Sequence, residues 1–234
     1  MRPSSSARRP ISDRTVLGPA VEDSLKVIFN LSLEGEVSAA EVARARSVSQ
    51  AAVSKMIGKL RELKLARTSS RGVELTESGR KVALETIRHH RLLEVYLKEA
   101  LGYSWDRVDA EAEELEHVIS EEFEERIDKL LGHPTHDPHG APIPTKDGRI
   151  DLTRHPCLLD LNEGTRATVQ CVSDGDPELL RYLADVGLVP MAQVRVLGRE
   201  PFGGPLRIRV ESRERQIGEA PARNVFVRVE PGAS

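Results

Sequence analysis

The motif Glu113-Glu114-Leu115-Glu116-His117 places two spaced carboxylates and an imidazole where one helix face would gather them. At about 100° per residue, a helix from Ala112 to Leu131 buries Leu115, Ile119, Phe123, Ile127 and Leu130 along a single stripe. Glu116 falls at the edge of that stripe, Glu113 and His117 flank it, and Asp109 sits one turn earlier on the same edge. A carboxylate beside a core is costly unless something positive meets it, and no Lys or Arg occupies this face between 109 and 120. A cation from solution is one explanation. A solvated acidic helix is the other, and the opposite face (Glu111, Glu114, Glu121, Glu122, Glu125) is plainly that. Two further clues favour the cation. His90 and Glu94 stand at i, i+4 on the preceding helix, and Asp23 lies beside the apolar positions Val21 and Leu25 of the first.

Around these residues the expected architecture is mainly α with a small β domain. A disordered Ser/Arg/Pro-rich arm (1–17) precedes a winged helix-turn-helix (18–82). Its parts are a helix from Pro19 to about Leu33, a Ser38-capped helix over Ala39 to Ala45, a Ser49-capped helix with Val53, Met56, Ile57, Leu60 and Leu63 inward, and two strands, Leu65 to Arg67 and Val73 to Leu75. A helical metal-binding and dimerisation domain follows (83–135), with one helix from Thr76 to about Ala100 and another from Asp106 to Leu131. Leu84, Ile87, Leu92, Val95 and Leu101 exceed what one core needs, so they predict a homodimer. Pro138, Pro142, Pro144 and Pro156 mark a linker (136–156). The last domain (157–234) reads as a small β-barrel from the runs Ala167 to Val172, Val194 to Leu197, Leu206 to Val210 and Val225 to Val229, with a helix over Pro177 to Asp185.

Charge is divided along the chain. Residues 1–82 hold 15 Lys/Arg against 9 Asp/Glu, and residues 83–131 hold 6 against 14. That asymmetry suggests a polyanion partner at one end and a cation at the other. The helix after Ser49 leaves Gln50, Ala51, Ser54, Lys55 and Lys59 outward, as in a helix laid in a major groove. Gln50 could read adenine, Lys55 guanine, and Ala51 a thymine methyl. Ser49, Ser54, Lys59, Arg61 and the wing residue Arg71 are expected on phosphates. Arg8 and Arg9 in the arm could enter a minor groove, although a simple tail is the plainer reading. Scarce aromatics, 3%, argue against stacking of single-stranded bases. Cys157 and Cys171 have no metal-type spacing and suit a cytoplasmic protein, and no apolar run is long enough to span a membrane. No Ser/His/Asp or Cys/His nucleophile is apparent, so an enzyme, with no small-molecule substrate in view, is not expected; a metal-dependent hydrolase or nuclease is the remote alternative, and a winged-helix regulator gated by an organic ligand the nearer one.

Taken together, Ser49-Gln50-Ala51-Ala52-Val53-Ser54, His90-Arg91-Leu92-Leu93-Glu94, Glu113-Glu114-Leu115-Glu116-His117 and Pro138-His139-Gly140-Ala141-Pro142-Ile143-Pro144 resemble the diphtheria toxin repressor family of metal-dependent transcriptional repressors, from about Val21 to Glu230. The resemblance implies an SH3-like third domain of the type found in ferrous-iron transport proteins. It implies a primary metal site of Asp23, Glu113, Glu116 and His117, and an ancillary site of His90, Glu94 and Asp109 with Asp176 or Glu178 as candidates from the third domain. Iron-responsive members carry Met and Cys where this chain has Asp23 and Glu113; hard carboxylates there imply Mn²⁺, with Fe²⁺ the alternative. Lys26 stands where manganese-type members lacking a third domain place an acid, and an ammonium cannot bind metal. Two separated sites per subunit are therefore expected. His133, His136 and His139 are read as loop residues rather than ligands. The implied partner is double-stranded operator DNA controlling metal uptake genes.

Overall fold

The computed structural model describes residues 17–230, so the arm expected over 1–17, with Arg8 and Arg9, lies, apart from Leu17, outside the described residues. The chain divides into two compact units, residues 1–83 and 84–234. In the first, α1 (Pro19–Ser32) starts at a proline whose missing N–H the first turn does not need, and it buries Val21, Leu25, Ile28 and Phe29. Ser38 accepts the Glu41 N–H while Glu41 accepts from the Ser38 N–H, a reciprocal cap that starts α2 (Ala39–Ala45). After Arg46-Ser47-Val48, the Ser49 hydroxyl accepts the Ala52 N–H and opens α3 (Gln50–Glu62), whose Val53, Ile57 and Leu60 are buried. Leu63, expected inward, is 38% exposed because it lies past the end of α3. The strands β1 (Ala66–Ser69) and β2 (Gly72–Leu75) pair antiparallel and extend further than expected, leaving only Ser70 and Arg71 between them.

Helix α4 (Glu77–Glu99) carries the chain into the second unit. The single helix expected over 112–131 is two, α5 (Val108–Leu115) and α6 (Glu121–Leu130). Ser120 explains the break: its hydroxyl accepts the Phe123 N–H and caps a new helix in a new direction. The predicted stripe is broken with it. Ile127 is buried, but Leu115, Phe123 and Leu130 are exposed, as is Val118 in the intervening turn. Conversely Leu84, Ile87, Leu92 and Val95, expected to meet a second subunit, lie within the core of the single chain; Leu101 alone of that set remains exposed.

The proline-rich segment is no loose linker over its first half. Asp137, His139 and Ile143 are buried, His136 forms a bridge with Pro142, and the Val172 N–H donates to the His139 carbonyl. Gly140 makes this approach possible: at φ +89° a Cβ would stand 2.0 Å from the Gln170 carbonyl oxygen. After a short 3-10 turn at Leu158–Asp160 come β3 (Arg166–Val172), α7 (Pro177–Val186), β4 (Gln193–Arg199), β5 (Leu206–Val210), β6 (Arg213–Ile217), α8 (Glu219–Arg223) and β7 (Val225–Val229); β6 and α8 go beyond the sequence expectation. The five strands form one antiparallel sheet in the order β6-β5-β4-β3-β7, and the core beside it holds Leu158, Val169, Leu180, Leu183, Val194, Ile208 and Val227. The expected barrel is not closed. Bulges at Val169/Cys171 and Val196/Gly198 bend the sheet. The free side of β7, however, is met by the preceding segment, through Cys157 opposite Phe226 and Val227 N–H to the Pro156 carbonyl, rather than by β6.

Candidate metal centre and nucleic-acid interface

Three segments of the second unit bring acids and imidazoles together. From α4, one turn apart, come His90 and Glu94; α5 and the turn after it supply Asp109, Glu113, Glu116 and His117; the 137–144 loop supplies Asp137 and His139. His90 is the hub. Its Nδ1 is 2.5 Å from Glu116 Oε2 and 3.7 Å from Glu113 Oε2, and its Nε2 is 3.2 Å from Asp109 Oδ1 and 3.7 Å from Glu94 Oε1. His117 Nε2 lies 3.4 Å from Glu116 Oε1. Glu94 and Glu116 have fully buried side chains, whereas those of Asp109 and Glu113 are nearly half exposed.

On its other side Glu94 meets two residues that sequence reasoning set aside as loop. Glu94 Oε1 is 3.3 Å from His139 Nδ1, and Glu94, Asp137 and His139 form one metal-competent group, all buried. The loop is built for rigidity. Asp137 Oδ1 accepts from the His139 and Ala141 N–H groups, and His139 Nε2 bonds the Trp105 carbonyl at 2.8 Å. A carbonyl partner fixes the proton of neutral His139 on Nε2 and leaves Nδ1 as the electron-pair donor facing Glu94. The signal that could have found this pair is the Asp-Pro-His-Gly tetrapeptide itself, since Pro and a left-handed Gly freeze the two potential ligands in place. Among the described residues His133 and His136 join no such group; His133 pairs with Asp128 and His136 with the Thr135 hydroxyl.

The electrostatics record the shortage of positive charge. Burial raises Asp137, and the Glu94 charge raises it further, to about 7 despite Arg91 at 3.4 Å. Burial alone would lower His139, yet Glu94 holds it up at about 9. Burial likewise raises Glu94, but His139 and His90 outweigh that and bring it down to about 2. His90, which burial would lower, is held well above its usual value by Asp109, Glu116 and Glu94. Among the described residues, both Glu94 oxygens, Asp137 Oδ2 and His139 Nδ1 are buried without a hydrogen-bond partner. Such atoms fit a divalent cation: the contacts are at ion-pair distance but lack hydrogen-bond geometry, and all donors are oxygen or nitrogen.

Asp176 and Glu178 are not brought to these groups; Asp176 Oδ1 caps α7 by accepting the Glu178 and Leu179 N–H groups. Asp23 belongs to the first unit, where Arg46 donates to its Oδ2 at 2.9 Å. Of the residues expected at DNA, Ser49, Gln50, Ala51, Ser54, Lys55, Lys59, Arg61 and Arg71 are all exposed, and Ser49 also caps α3. They run from the first turn of α3 along one side of it to the tip of the β1–β2 hairpin.

Comparison with known proteins gives two family matches along the chain. The profile described as "Iron dependent repressor, metal binding and dimerisation domain" matches residues 76–145, and that of the FeoA domain matches residues 157–229. The iron-dependent repressor IdeR of Mycobacterium tuberculosis is 35% identical over 77% of this chain and 84% of its own length. The diphtheria toxin repressor of Corynebacterium efficiens is 30% identical over 75% of this chain and 82% of its own. Among solved structures, a manganese-dependent transcriptional repressor in complex with manganese superposes with a TM-score of 0.83 at 38% identity, covering 90% of this chain and all of that one. The manganese regulator SloR gives 0.74 at 33%, over 92% of this chain and all of its own.

Proposed function

The chain belongs to the diphtheria toxin repressor family, and from that premise we propose that it is a Mn²⁺-dependent transcriptional repressor that binds double-stranded operator DNA as a cytoplasmic homodimer and controls metal uptake genes. It is a regulator and not an enzyme. The observation that carries the metal reading is the buried Glu94, whose Oε1 meets the His90 and His139 imidazoles without hydrogen-bond geometry, and neither of whose oxygens has a hydrogen-bond partner among the described residues. Every potential ligand there is a carboxylate or an imidazole, which suits Mn²⁺ or Fe²⁺ over softer ions. The similarity to a manganese-dependent repressor solved in complex with manganese favours Mn²⁺, and Fe²⁺ is the alternative.

Two ions per subunit fit the arrangement. Asp23, Glu113, Glu116 and His117 would hold the first. Glu94 would serve the second, with His90 and Asp109 on one side and Asp137 and His139 on the other; the family resemblance also offers Asp176 and Glu178. A bound cation supplies the positive charge that this acid excess lacks. Once its Nδ1 proton is given up, His139 would present its electron pair toward Glu94, and Asp137 and Gly140 keep the loop in register. Leu115, Val118, Phe123 and Leu130 of the α5–α6 region are exposed apolar side chains that a second subunit would cover. Elements α2, α3, β1 and β2 act as a winged helix-turn-helix, with Gln50, Ala51 and Lys55 at base edges and Ser49, Ser54, Lys59, Arg61 and Arg71 at phosphates.

Duplex affinity measured at fixed salt with chelated protein, then with Mn²⁺, Fe²⁺ or Zn²⁺, tests the reading. Mn²⁺ is expected to tighten binding about tenfold to a hundredfold. Chelated protein that holds the duplex equally tightly would overturn it.

A further inference from the structure

One side chain ties Asp23 to the elbow that carries α3. Arg46 closes α2 and reaches back across α1, donating from Nη2 to Asp23 Oδ2 (2.9 Å), and from Nη1 to the Ser24 hydroxyl (2.5 Å) and the Ala20 carbonyl (3.0 Å). Three acceptors on one stretch of α1 hold the guanidinium in a fixed plane, which a single ammonium could not reproduce. The pair is no solvated surface bridge, since the Arg46 and Asp23 side chains are 20% and 21% exposed.

At its other end Arg46 is joined stiffly to α3. The Arg46 N–H donates to the Val42 carbonyl, the Val48 N–H donates to the Ala43 carbonyl, Ser47 is held at φ +52°, and Ser49 caps the next helix. Only Ser47 and Val48 separate Arg46 from that cap. So short and fully bonded an elbow has no slack in which a displacement of the guanidinium could be lost.

We propose that Arg46 is a positioning residue that transmits ligation of a divalent cation by Asp23 to the recognition helix α3. The inference rests on the reading above that Asp23 is a ligand. A carboxylate shared between a guanidinium and a divalent ion must divide its charge between them, and the two cations repel. Ligation therefore changes where Arg46 rests, and the elbow moves with it. A purely structural Arg46 would close α1 on α2 to the same extent whether or not a cation is present.

The test uses the full chain and its Arg46→Met, Arg46→Lys and Asp23→Asn variants. Mn²⁺ affinity is read without DNA from the electron paramagnetic resonance of the free ion. Affinity for a duplex, selected from a random-sequence library by the Mn²⁺-loaded protein, is then read with and without Mn²⁺. In Arg46→Met the Mn²⁺ affinity is expected to be unchanged or tighter, because a competing cation is gone, while the Mn²⁺-induced gain in duplex affinity falls about tenfold. Arg46→Lys, which keeps the charge and the fold, recovers part of that gain. A full gain in Arg46→Met overturns the proposal, and so does a loss of Mn²⁺ binding that parallels the loss of gain, since Arg46 would then merely orient a ligand. If Arg46→Met does not fold, Arg46→Lys decides: a gain equal to wild type overturns the proposal, and a reduced gain at unchanged Mn²⁺ affinity supports it. Asp23→Asn separates the two levels. A full gain there refutes Asp23 as a ligand, whereas its loss alongside a full gain in Arg46→Met refutes only the transmission.

Discussion

Two clusters next to each other on α4 use the same kinds of side chain to different ends. In the first, Arg88 contacts Glu124 Oε1 at 2.5 Å and Asp128 Oδ1 at 3.3 Å and donates to the Pro144 carbonyl, while His89 lies 3.3 Å from Glu124 Oε2. Burial would raise Glu124, but His89 and Arg88 overcome it and draw the carboxyl down to about 2. The chain supplies the cation, and the acids are neutralised in place. In the second cluster, beginning one residue later, His90 and Glu94 face Asp109, Glu113, Glu116, Asp137 and His139, and the guanidinium at hand, Arg91, reaches Asp137. There Asp137 rises to about 7 instead of falling. In the first cluster a guanidinium neutralises Glu124 and Asp128 in place, whereas around Glu94 the positive partners are imidazoles, which can give up their protons to an ion.

Breaking the first cluster has the largest expected effect. Glu124→Ala strands a buried guanidinium and is expected to cost about 3–5 kcal/mol of folding stability by chemical denaturation. Because the folded-state value of Glu124 is depressed, its contribution is fully present above the ordinary carboxylate value of 4.5 and is lost as pH falls toward about 2. The Mn²⁺-induced stabilisation should survive in this variant. Its disappearance would show that the two clusters are one.

Breaking the second should have the complementary signature. Saturation at about a hundredfold over the dissociation constant adds about 2.7 kcal/mol per site to stability. His139→Ala should lose one site's worth of that gain and one bound Mn²⁺ by calorimetry, while the chelated form keeps its fold. An undiminished Mn²⁺ count would remove His139 from the site. The pH dependence sharpens the same contrast. His139 sits at about 9 before any ion arrives, so binding must expel its proton. Mn²⁺ affinity should therefore climb about tenfold per pH unit toward pH 9 and lose that component in His139→Ala. A flat profile would mean that no proton leaves His139 Nδ1 on binding.

The sequence made one part of the second cluster legible and concealed the other. His90, Glu94, Glu113, Glu116 and His117 stand at helical spacings on an apolar stripe, and caps such as Ser38 with Glu41 or Ser49 act within one turn, so local chemistry locates them. Asp137 and His139 reach Glu94 through a non-local turn, packed on β3 by Gly140 and on the Trp105 carbonyl, and no periodicity reports that. The apolar stripe itself misled, because a hydroxyl at Ser120 outweighed continuity of pattern and split one expected helix into two. The open sheet was beyond reach for a similar reason: whether β7 pairs with β6 or with the 156–157 segment is a competition between distant parts of the chain.

The smallest expected effect comes from acids that belong to neither cluster. Glu122 on α6 contacts Arg126 at 2.7 Å in an i, i+4 pair, both side chains 75% exposed. Water screens such a pair and the two long side chains lose rotamer freedom in making it, so Glu122→Ala should cost at most about 0.5 kcal/mol by thermal or chemical denaturation. Its Mn²⁺ count and pH profile should match wild type. This variant carries the same formal charge change as Glu124→Ala on the same helix, two residues away, and differs only in burial. A similar stability loss in both would mean that α6 responds to its total charge; a loss confined to Glu124 assigns the effect to the guanidinium left unpaired in the core.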